Sequence, residues 1–244
     1  MQVRFVGCGD ALGSGGRFNT CFHVTGKRAN FLIDCGASSL VAMKHYAIAR
    51  EPIDVILITH FHGDHFAGLP FLLLDAQFTR RARPLVIAGP EGIEARLTQA
   101  MEALFENSSK TRQKFDLGVV TLKPEQAKDF GTLKVTPFPV VHGESGGPFL
   151  AYRIETEGRT IAYSADTEWT DTLVPLASDA DLFICEAYYY DRIVKNHLSL
   201  KTLEEHLPRI APKQLVLTHM SDDMLARLGS LPYTSATDGM TIEL

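Results

Sequence analysis

The sequence has little that belongs to a membrane-bound, secreted or disulfide-stabilised protein. No uninterrupted apolar run reaches the roughly 18 residues that a membrane-spanning helix needs. The first residues, MQVRFVGCGDALGSGG, have neither the basic region nor the long apolar stretch of a signal peptide, so we expect a cytoplasmic protein. The cysteines are widely spaced and form no C-x-x-C pair, and we therefore expect four reduced thiols: Cys8, Cys21, Cys35 and Cys185.

Positive charge is also scarce. The chain has 24 lysines and arginines against 29 aspartates and glutamates, which gives a net charge of -5 at pH 7. A protein that holds many phosphates of a long nucleic acid usually has a basic surplus or a basic face. The composition therefore argues against a large nucleic-acid footprint. We interpret the one dense basic run, which contains Arg80, Arg81 and Arg83, as the solvated end of a helix.

Internal repeats, low-complexity tracts and linker-like stretches are missing as well, so we predict a single domain over residues 1–244. The first part of the chain alternates as β-structure, and helical patterns then separate further strands. Residues 53–59 (IDVILIT) form a continuous apolar run rich in β-branched side chains, which is typical of a strand buried on both faces. This mixture predicts an α/β protein with helices packed outside its sheets.

Candidate metal ligands are concentrated directly after that apolar run. The segment THFHGDHFAGLP places His60, His62, Asp64 and His65 within six residues. Loops at the carboxyl end of a buried strand can converge on one point while the strand fixes their base. Imidazole and carboxylate ligands without thiolate suit zinc, the usual metal for hydrolysis, and also manganese or iron.

Three further candidates stand at the ends of later predicted strands. His142 closes VVH, Asp166 closes YSAD and His219 closes LVLTH. One such residue alone would carry little information, because a lone histidine is usually a surface or core residue. Three at equivalent positions, together with the histidine cluster, indicate a metal site.

The pattern H-x-H-x-D-H after a strand resembles the signature of the metallo-β-lactamase superfamily. The longer run HFHGDHFAGLPFLL is similar to the branch that contains ribonuclease Z and related phosphodiesterases. Gly7-Cys8-Gly9 and the downstream Arg17, Asn19 and Thr20 resemble the opening loop of that branch. Asp34-Cys35-Gly36 resembles its D-x-G element, whose aspartate supports the metal site.

The resemblance implies a four-layer αββα sandwich of the metallo-β-lactamase type that holds two divalent metal ions, zinc by preference. One ion would be held by His60, His62 and His142. The other would be held by Asp64, His65 and His219, and Asp166 would bridge the two.

The resemblance also implies catalytic residues for phosphodiester hydrolysis. Glu186 ends a predicted strand and His197 stands before Leu198-Ser199, as in a Glu–His pair of ribonuclease Z-like enzymes next to the scissile phosphate. His197 would then donate a proton and be oriented by Glu186, while Asp64 would accept a proton from water. The structural alternative is a histidine at the start of a helix capped by Ser199 and a solvated glutamate.

Other chemistries of the superfamily fit the sequence less well. Oxygen-reducing diiron members have a glutamate where His62 stands, and true β-lactamases have a cysteine where Asp166 stands. Glyoxalase-type hydrolases follow the third ligand with a T-P-G-H-T-like run, whereas GESGGPF follows His142 here. We therefore expect a metal-dependent phosphodiesterase, with a non-catalytic metal-binding protein on the same fold as the alternative.

The interval between His142 and Asp166 decides which substrate we expect. Ribonuclease Z has a long basic arm there, but these two residues are only 24 positions apart, and Gly146-Gly147-Pro148 and two predicted strands fill the interval. The sequence therefore favours a small or cyclic phosphodiester as substrate, with RNA 3′-end processing as the alternative. A homodimer is a further alternative, because many relatives dimerise.

Overall fold

The computed structural model of the chain describes residues 1–144 and 147–244. Within these ranges the strands are β1 (Gln2–Gly7), β2 (Cys21–Thr25), β3 (Asn30–Ile33), β4 (Val55–Leu57), β5 (Leu85–Gly89), β6 (Leu117–Thr121), β7 (Lys128–Asp129), β8 (Lys134–Pro139), β9 (Leu150–Thr156), β10 (Arg159–Tyr163), β11 (Leu182–Glu186), β12 (Leu215–Thr218), β13 (Thr234–Ser235) and β14 (Thr241–Glu243). The α-helices are α1 (Ser39–His45), α2 (Gly63–Phe66), α3 (Leu69–Phe78), α4 (Ile93–Leu104), α5 (Leu173–Ala177), α6 (Leu200–Ile210) and α7 (Asp222–Leu225).

The strands form two sheets of seven strands each. The first has the order β14-β1-β2-β3-β4-β5-β6, and the second has the order β13-β12-β11-β10-β9-β8-β7. Strands β3 to β6 run parallel to one another, and β10, β11 and β12 are also parallel. All three residues of β4 are buried, as its continuous apolar run predicts.

Three apolar clusters show how the layers are stacked. The central cluster joins the inner faces of both sheets and contains Phe22 from β2 and Tyr163 from β10. A second cluster lies between the first sheet and α1, α3 and α4, and a third lies between the second sheet and α5 and α6. The order is therefore helices, sheet, sheet, helices, which confirms the four-layer αββα sandwich.

Several predicted boundaries differ from the structure for local reasons. The sequence predicts a helix over residues 67–78 after the histidine cluster; in the structure α3 begins at Leu69, and the separate short helix α2 precedes it. The Gly68 amide donates a hydrogen bond to the Cys35 carbonyl at 2.9 Å, and a Cβ on Gly68 would lie 2.2 Å from the Gly36 oxygen. The Gly68 amide is therefore bonded to a neighbouring loop and not to the preceding turn, and α3 begins after it. The predicted Gly146-Gly147-Pro148 turn includes a residue outside the described ranges, Gly146.

The basic run after α3 is only partly the solvated helix end that we expected. Arg80 and Arg83 are exposed, but Arg81 is buried. Its guanidinium donates hydrogen bonds at 2.6–2.9 Å to four backbone carbonyls, those of Arg50, Ile53, Arg83 and Pro84. Arg81 thus closes the loops before β4 and β5, and its charge is not available to a ligand. No helix in the described part of the chain is long and apolar enough to span a membrane.

Strand direction brings the predicted site residues to one edge of the sandwich. Strand β9 is antiparallel to both β8 and β10, so β8, β10, β11 and β12 all run the same way and end at the same edge. In the other sheet, β4 ends there too, because the Leu150 amide at the start of β9 donates a hydrogen bond to the Thr59 carbonyl at 3.1 Å. Five strand ends from two sheets therefore surround one point.

Candidate metal centre

The seven candidate ligands meet at this edge, although they come from four separate parts of the chain. The segment after β4 supplies four of them, and the ends of β8, β10 and β12 supply one each. Six of the seven side chains are buried, and the exposed one is His62. They form two adjacent groups, in each of which the ligand atoms all lie within 4.8 Å of one another: His60, His62 and His142, and Asp64, His65, Asp166 and His219.

In the first group, three imidazoles face one another. His142 Nε2 lies 3.0 Å from His62 Nδ1, and the His60 ring lies with its centroid 5.0 Å from that of His142. His60 Nε2 is buried and has no hydrogen-bond partner among the described residues. This group presents ring nitrogens to a shared space.

In the second group, two imidazoles alternate with two carboxylates. His65 Nε2 lies 3.2 Å from Asp64 Oδ2 and 3.3 Å from Asp166 Oδ1. His219 Nε2 lies 3.1 Å from Asp64 Oδ2 and 3.2 Å from Asp166 Oδ2. Asp166 Oδ2 also lies 3.6 Å from His142 Nε2, so this carboxylate contacts both groups.

Three of the histidines are oriented by a hydrogen bond at Nδ1. His65 Nδ1 donates to Asp34 Oδ2 at 2.7 Å, and His142 Nδ1 donates to the Asn196 carbonyl at 2.7 Å. His60 Nδ1 lies 3.1 Å from Thr59 Oγ1, whose own proton goes to the Asp34 carboxylate. With the proton on Nδ1, each ring turns an unprotonated Nε2 toward the centre, which is the arrangement of metal-binding histidines.

Burial and neighbouring charges shift the pKa values of the cluster in opposite directions. Burial lowers the pKa of His142 to about 4, against the opposing charge of Asp166, and also lowers that of His60. Burial alone would lower the pKa of His219 too, but the charge of Asp166 outweighs it and raises the value to about 9. The pKa of Asp166 is held far below its usual range, because His219 and His65 outweigh the effect of burial.

These contacts fit a bound divalent cation better than a closed hydrogen-bond network. His60 Nε2 and Asp166 Oδ1 are buried without hydrogen-bond partners among the described residues, which is costly in a protein interior. Two pairs of imidazole nitrogens also face each other, at 3.0 Å and 3.4 Å. A cation between such atoms relieves both costs, and the nitrogen and oxygen donors suit zinc, manganese or iron.

The predicted Glu–His pair lies at the side of this cluster. Glu186 at the end of β11 is fully buried, and its Oε2 accepts a hydrogen bond from His197 Nδ1 at 2.9 Å. Its Oε1 accepts a hydrogen bond from the Thr167 amide. Ser199 does cap α6, as the structural alternative proposes, but Glu186 is not solvated. The His197 ring lies 4.9 Å from that of His142, next to the candidate ligands.

The electrostatics of the pair favour the protonated form of the imidazole. Burial lowers the pKa of His197, but the hydrogen bond and the charge of Glu186 outweigh it, so the pKa is raised above its ordinary value. Burial raises the pKa of Glu186, against the opposing effect of His197. Because Nδ1 is bonded to the carboxylate, Nε2 is the ring nitrogen that can reach a ligand.

Four supporting residues did not emerge from the sequence. Thr59 and Asn196 orient ligands, Tyr188 stacks on His197 with centroids 4.4 Å apart, and Phe149 packs 5.2 Å from His142. Thr59 and Asn196 each precede a predicted site residue, which is the only signal that the sequence offers. Tyr188 stands in a YYYD run that resembles an ordinary surface loop.

A cavity of about 200 Å³ opens above the cluster. The side chains of Asp64, Asp166 and His197 form part of its wall, and no lysine or arginine is found among the described residues that line it. Arg17 donates a hydrogen bond to the Ala236 carbonyl at 2.8 Å, and Lys195 pairs with Glu144. Positive charge at this centre must therefore come from imidazoles or from bound cations.

Comparison with known proteins places this architecture in a family. Residues 29–220 match the family described as the beta-lactamase superfamily domain. Ribonuclease Z from Agathobacter rectalis is 27% identical, over 92% of this chain and 89% of that protein. Its alignment spans 276 positions, more than the 244 residues of this chain, so the relative has stretches without a counterpart here.

Two solved structures extend the comparison to three dimensions. The short form of human tRNase Z superposes with a TM-score of 0.80 and 26% identity, over 100% of this chain and 99% of that one. A diphosphatase of the PhnP family superposes with a TM-score of 0.79 over 100% and 97%, and at 20% identity it supports the fold alone. The chain therefore belongs to the beta-lactamase superfamily and has the fold of its metal-dependent hydrolases.

Proposed function

We propose that this protein is a metal-dependent phosphodiesterase that cleaves RNA close to its 3′ end. The observation that carries the proposal is the hydrogen bond between the buried Glu186 and the partly exposed His197, beside two adjacent groups of candidate ligands. A metal-storage or sensor protein has no need of a histidine that a buried carboxylate orients at the edge of the cavity above the candidate ligands. The similarity to ribonuclease Z and to human tRNase Z over nearly the whole chain supports RNA as the substrate.

The ligand groups would hold two divalent ions, zinc by preference. His60, His62 and His142 would bind one, Asp64, His65 and His219 the other, and Asp166 both. Such ions, when bound, lower the pKa of water and neutralise charge that builds up on a phosphoryl oxygen. The remaining chemistry falls to side chains of the cavity wall.

Asp64 is the proton acceptor that we assign to the attacking water. Burial opposes its ionisation, but His65 and His219 outweigh that effect and hold its pKa far below the usual range. The carboxylate is therefore charged at neutral pH and lies at the cavity wall. An ionised carboxylate within reach of water can accept its proton as the new P–O bond forms.

His197 is the proton donor that we assign to the leaving oxygen. Its Nδ1 donates a hydrogen bond to Glu186 at 2.9 Å, so in the doubly protonated ring the second proton is on Nε2, which faces the cavity. When the old P–O bond breaks, the leaving oxygen takes this proton and becomes a hydroxyl group. Glu186 does not touch the substrate and acts by orienting the ring and stabilising its positive charge.

A small or cyclic phosphodiester is the second candidate substrate. Within the described residues, the interval from His142 to Asp166 consists of short connections and the hairpin of β9 and β10, with no extended arm. The cavity of about 200 Å³ also has no lysine or arginine in its described wall. These two observations favour a substrate that needs little contact beyond the metals.

A substrate panel separates these candidates. We expect zinc-loaded protein to remove the 3′ trailer from a precursor tRNA with a higher kcat/KM than it shows for cyclic nucleotides or bis(p-nitrophenyl) phosphate. If only the small esters are turned over, a small or cyclic phosphodiester is the substrate and RNA is not. Two bound ions without turnover of any substrate in the panel would favour the non-catalytic alternative.

The assignment of His197 has its own test. His197→Ala should lower kcat by about 10²- to 10⁴-fold, the usual range for loss of a general acid, because the variant has no imidazole at this position. Metal content should stay at the wild-type level, since His197 is not among the candidate ligands. His45→Ala, which changes an exposed histidine on α1, is the matched control and should retain wild-type kcat. Equal rates for the two variants would remove His197 from the chemistry.

A further inference from the structure

His62 forms part of the wall of two neighbouring cavities. One is the cavity above the ligand cluster, and the other, of about 480 Å³, lies between α2 and α4. We name the second one the α4 groove and define it by Phe61, Phe66, Ala67, Arg96, Ala100 and Ala103. A substrate that extends past the metal centre on this side would enter the α4 groove directly.

The α4 groove has the walls of a site for a flat, apolar group. Phe61 and Phe66 pack edge to face with ring centroids 5.5 Å apart, and Phe61 is only partly buried. On the opposite side, Ala100 and Ala103 are small, so the helix leaves the space open. An aromatic ring beside an open slot can stack on a nucleobase of any type, so this contact does not depend on the RNA sequence.

Arg96 supplies the positive charge that the metal-site cavity lacks. It lies on the same face of α4 as Ala100 and Ala103, at helical spacings of four and seven residues. Its guanidinium carbon is 6.0 Å from the Phe61 ring centroid, and its side chain has no ion pair or hydrogen bond within the described ranges. No aspartate or glutamate is among the described residues that line the groove.

We propose that the α4 groove binds the nucleotide next to the scissile phosphate, with the base against Phe61 and a phosphate near Arg96. This inference rests on the proposed function and names a further part of the same RNA site. A phosphate contact close to the metals also compensates for the missing arm, because it holds the RNA end without a large basic surface. Single-stranded segments are the class of substrate that this geometry fits.

Binding can be measured without cleavage. Fluorescence anisotropy of a labelled ten-nucleotide RNA on chelator-treated full-length protein should show affinity about fivefold to tenfold weaker for Arg96→Gln. The slope of log K against the logarithm of the salt concentration should also become less negative by about 0.7, which is the contribution of one phosphate contact to a single strand. Ala103→Glu, on an exposed helix position, should weaken binding at least as much because it adds a charge that repels phosphate.

Arg28→Gln is the matched control for loss of one positive charge. Arg28 lies in the exposed turn between β2 and β3, at the end of the sandwich where β4 begins, whereas the candidate ligands follow the other end of β4. It should bind the RNA like the wild type. If Arg96→Gln and Ala103→Glu also bind within twofold of the wild type, or if the wild type does not bind the RNA, the α4 groove is not a nucleotide site.

Cleavage assays distinguish this inference from the proposed function. In Ala103→Glu, the ratio of kcat/KM for RNA to that for bis(p-nitrophenyl) phosphate should fall about tenfold, because only RNA reaches the α4 groove. Normal cleavage of RNA by both groove variants would overturn the groove and leave the proposed function intact. If RNA binding depends on Arg96 but no RNA is cleaved, the proposed function is wrong and the α4 groove remains a nucleotide-binding site.

Discussion

Asp34 shows how a residue outside the seven candidate ligands can orient one of them. Its carboxylate is fully buried, and its Oδ1 accepts a hydrogen bond from the Thr59 amide at 2.8 Å. Its Oδ2 accepts the Nδ1 proton of His65 at 2.7 Å, which leaves His65 Nε2 free to bind a cation. The tautomer of His65 is therefore set by a side chain 31 residues away in the sequence.

Replacing this carboxylate by an amide should reverse the tautomer. In Asp34→Asn, an amide N–H faces His65 Nδ1, so the ring proton moves to Nε2 and blocks the ligand position. We expect zinc affinity to fall by about 10- to 100-fold, the usual effect of losing such a supporting partner. Competition with a chromophoric chelator measures it. Asp54→Asn changes an aspartate that pairs with Arg83 at the surface and should bind zinc normally; an equal loss in both variants would contradict the assignment.

At the scale of single residues, the sequence identifies the candidate ligands better than it identifies the residues that orient them. Histidine and aspartate at strand ends are uncommon enough to stand out, and Asp34 was expected from the family resemblance. The roles of Thr59 and Asn196 depend on hydrogen bonds between segments that lie far apart in the chain. Tyr188 acts through the stacking of its ring on His197, which leaves no trace in residue type or spacing.

At the scale of elements, helix α6 ends at a residue with an unfavourable backbone conformation. Ala211 is the C-terminal cap of α6, with φ 48° and ψ 52°, and it is exposed. Its amide donates a hydrogen bond to the Leu207 carbonyl at 2.9 Å. The left-handed conformation is costly for a residue with a Cβ, and glycine is the usual residue at this position.

Ala211→Gly should therefore stabilise the protein. We expect about 1 kcal/mol in the free energy of unfolding, which corresponds to a rise of about 2–4 °C in Tm for a chain of this size. Differential scanning calorimetry measures it. Ala226→Gly is the control, because Ala226 caps α7 in the right-handed conformation at φ -65°. That variant should be unchanged or less stable, and stabilisation of both would show that relief of strain is not the cause.

Strands and helices with regular patterns were predicted well, and irregular connections were not. The sequence gives the observed bounds for β2, β3, β11, β12 and α6, whose apolar residues alternate or recur with one period. The break between α2 and α3 depends on the passage of Gly68 against Gly36, which is a contact between two loops. A period in the sequence cannot report such a contact.

At the scale of the whole molecule, the two sheets are joined at opposite ends by different means. The candidate ligands connect them at one end. At the other, Glu157 in the turn between β9 and β10 accepts hydrogen bonds at 2.7–3.0 Å from three amides of the turn between β2 and β3, those of Lys27, Arg28 and Ala29. These amides lower the pKa of Glu157 to about 2.

The shifted pKa of Glu157 makes this link dependent on pH. Because its pKa is lower in the folded protein than the ordinary value of 4.5, its stabilising effect is complete above that value and is lost as the pH falls toward 2. Glu157→Gln should therefore lower the urea midpoint at pH 7, and the difference from wild type should shrink between pH 4.5 and pH 3. Urea titrations of chelator-treated protein measure this. A difference that stays constant with pH would contradict the role of the charge.

The overall architecture could be predicted through the family resemblance of the H-x-H-x-D-H segment. The succession of strands and helices alone predicts an α/β protein with helices outside its sheets and does not give the number of layers. The substrate could not be predicted in the same way. The sequence favoured a small phosphodiester because the interval after His142 is short, whereas the relatives favour RNA. The α4 groove depends on the approach of Phe61 to Arg96 of α4, and no motif reports that contact.

Anomalous diffraction from crystals grown with zinc tests the metal centre directly. We expect two strong peaks at the zinc edge, with Asp166 between them. One peak should lie among His60, His62 and His142, and the other among Asp64, His65 and His219. A zinc-saturated crystal without a peak at either position, or with zinc bound only elsewhere, would contradict the proposal that these seven side chains form a metal-dependent hydrolytic centre.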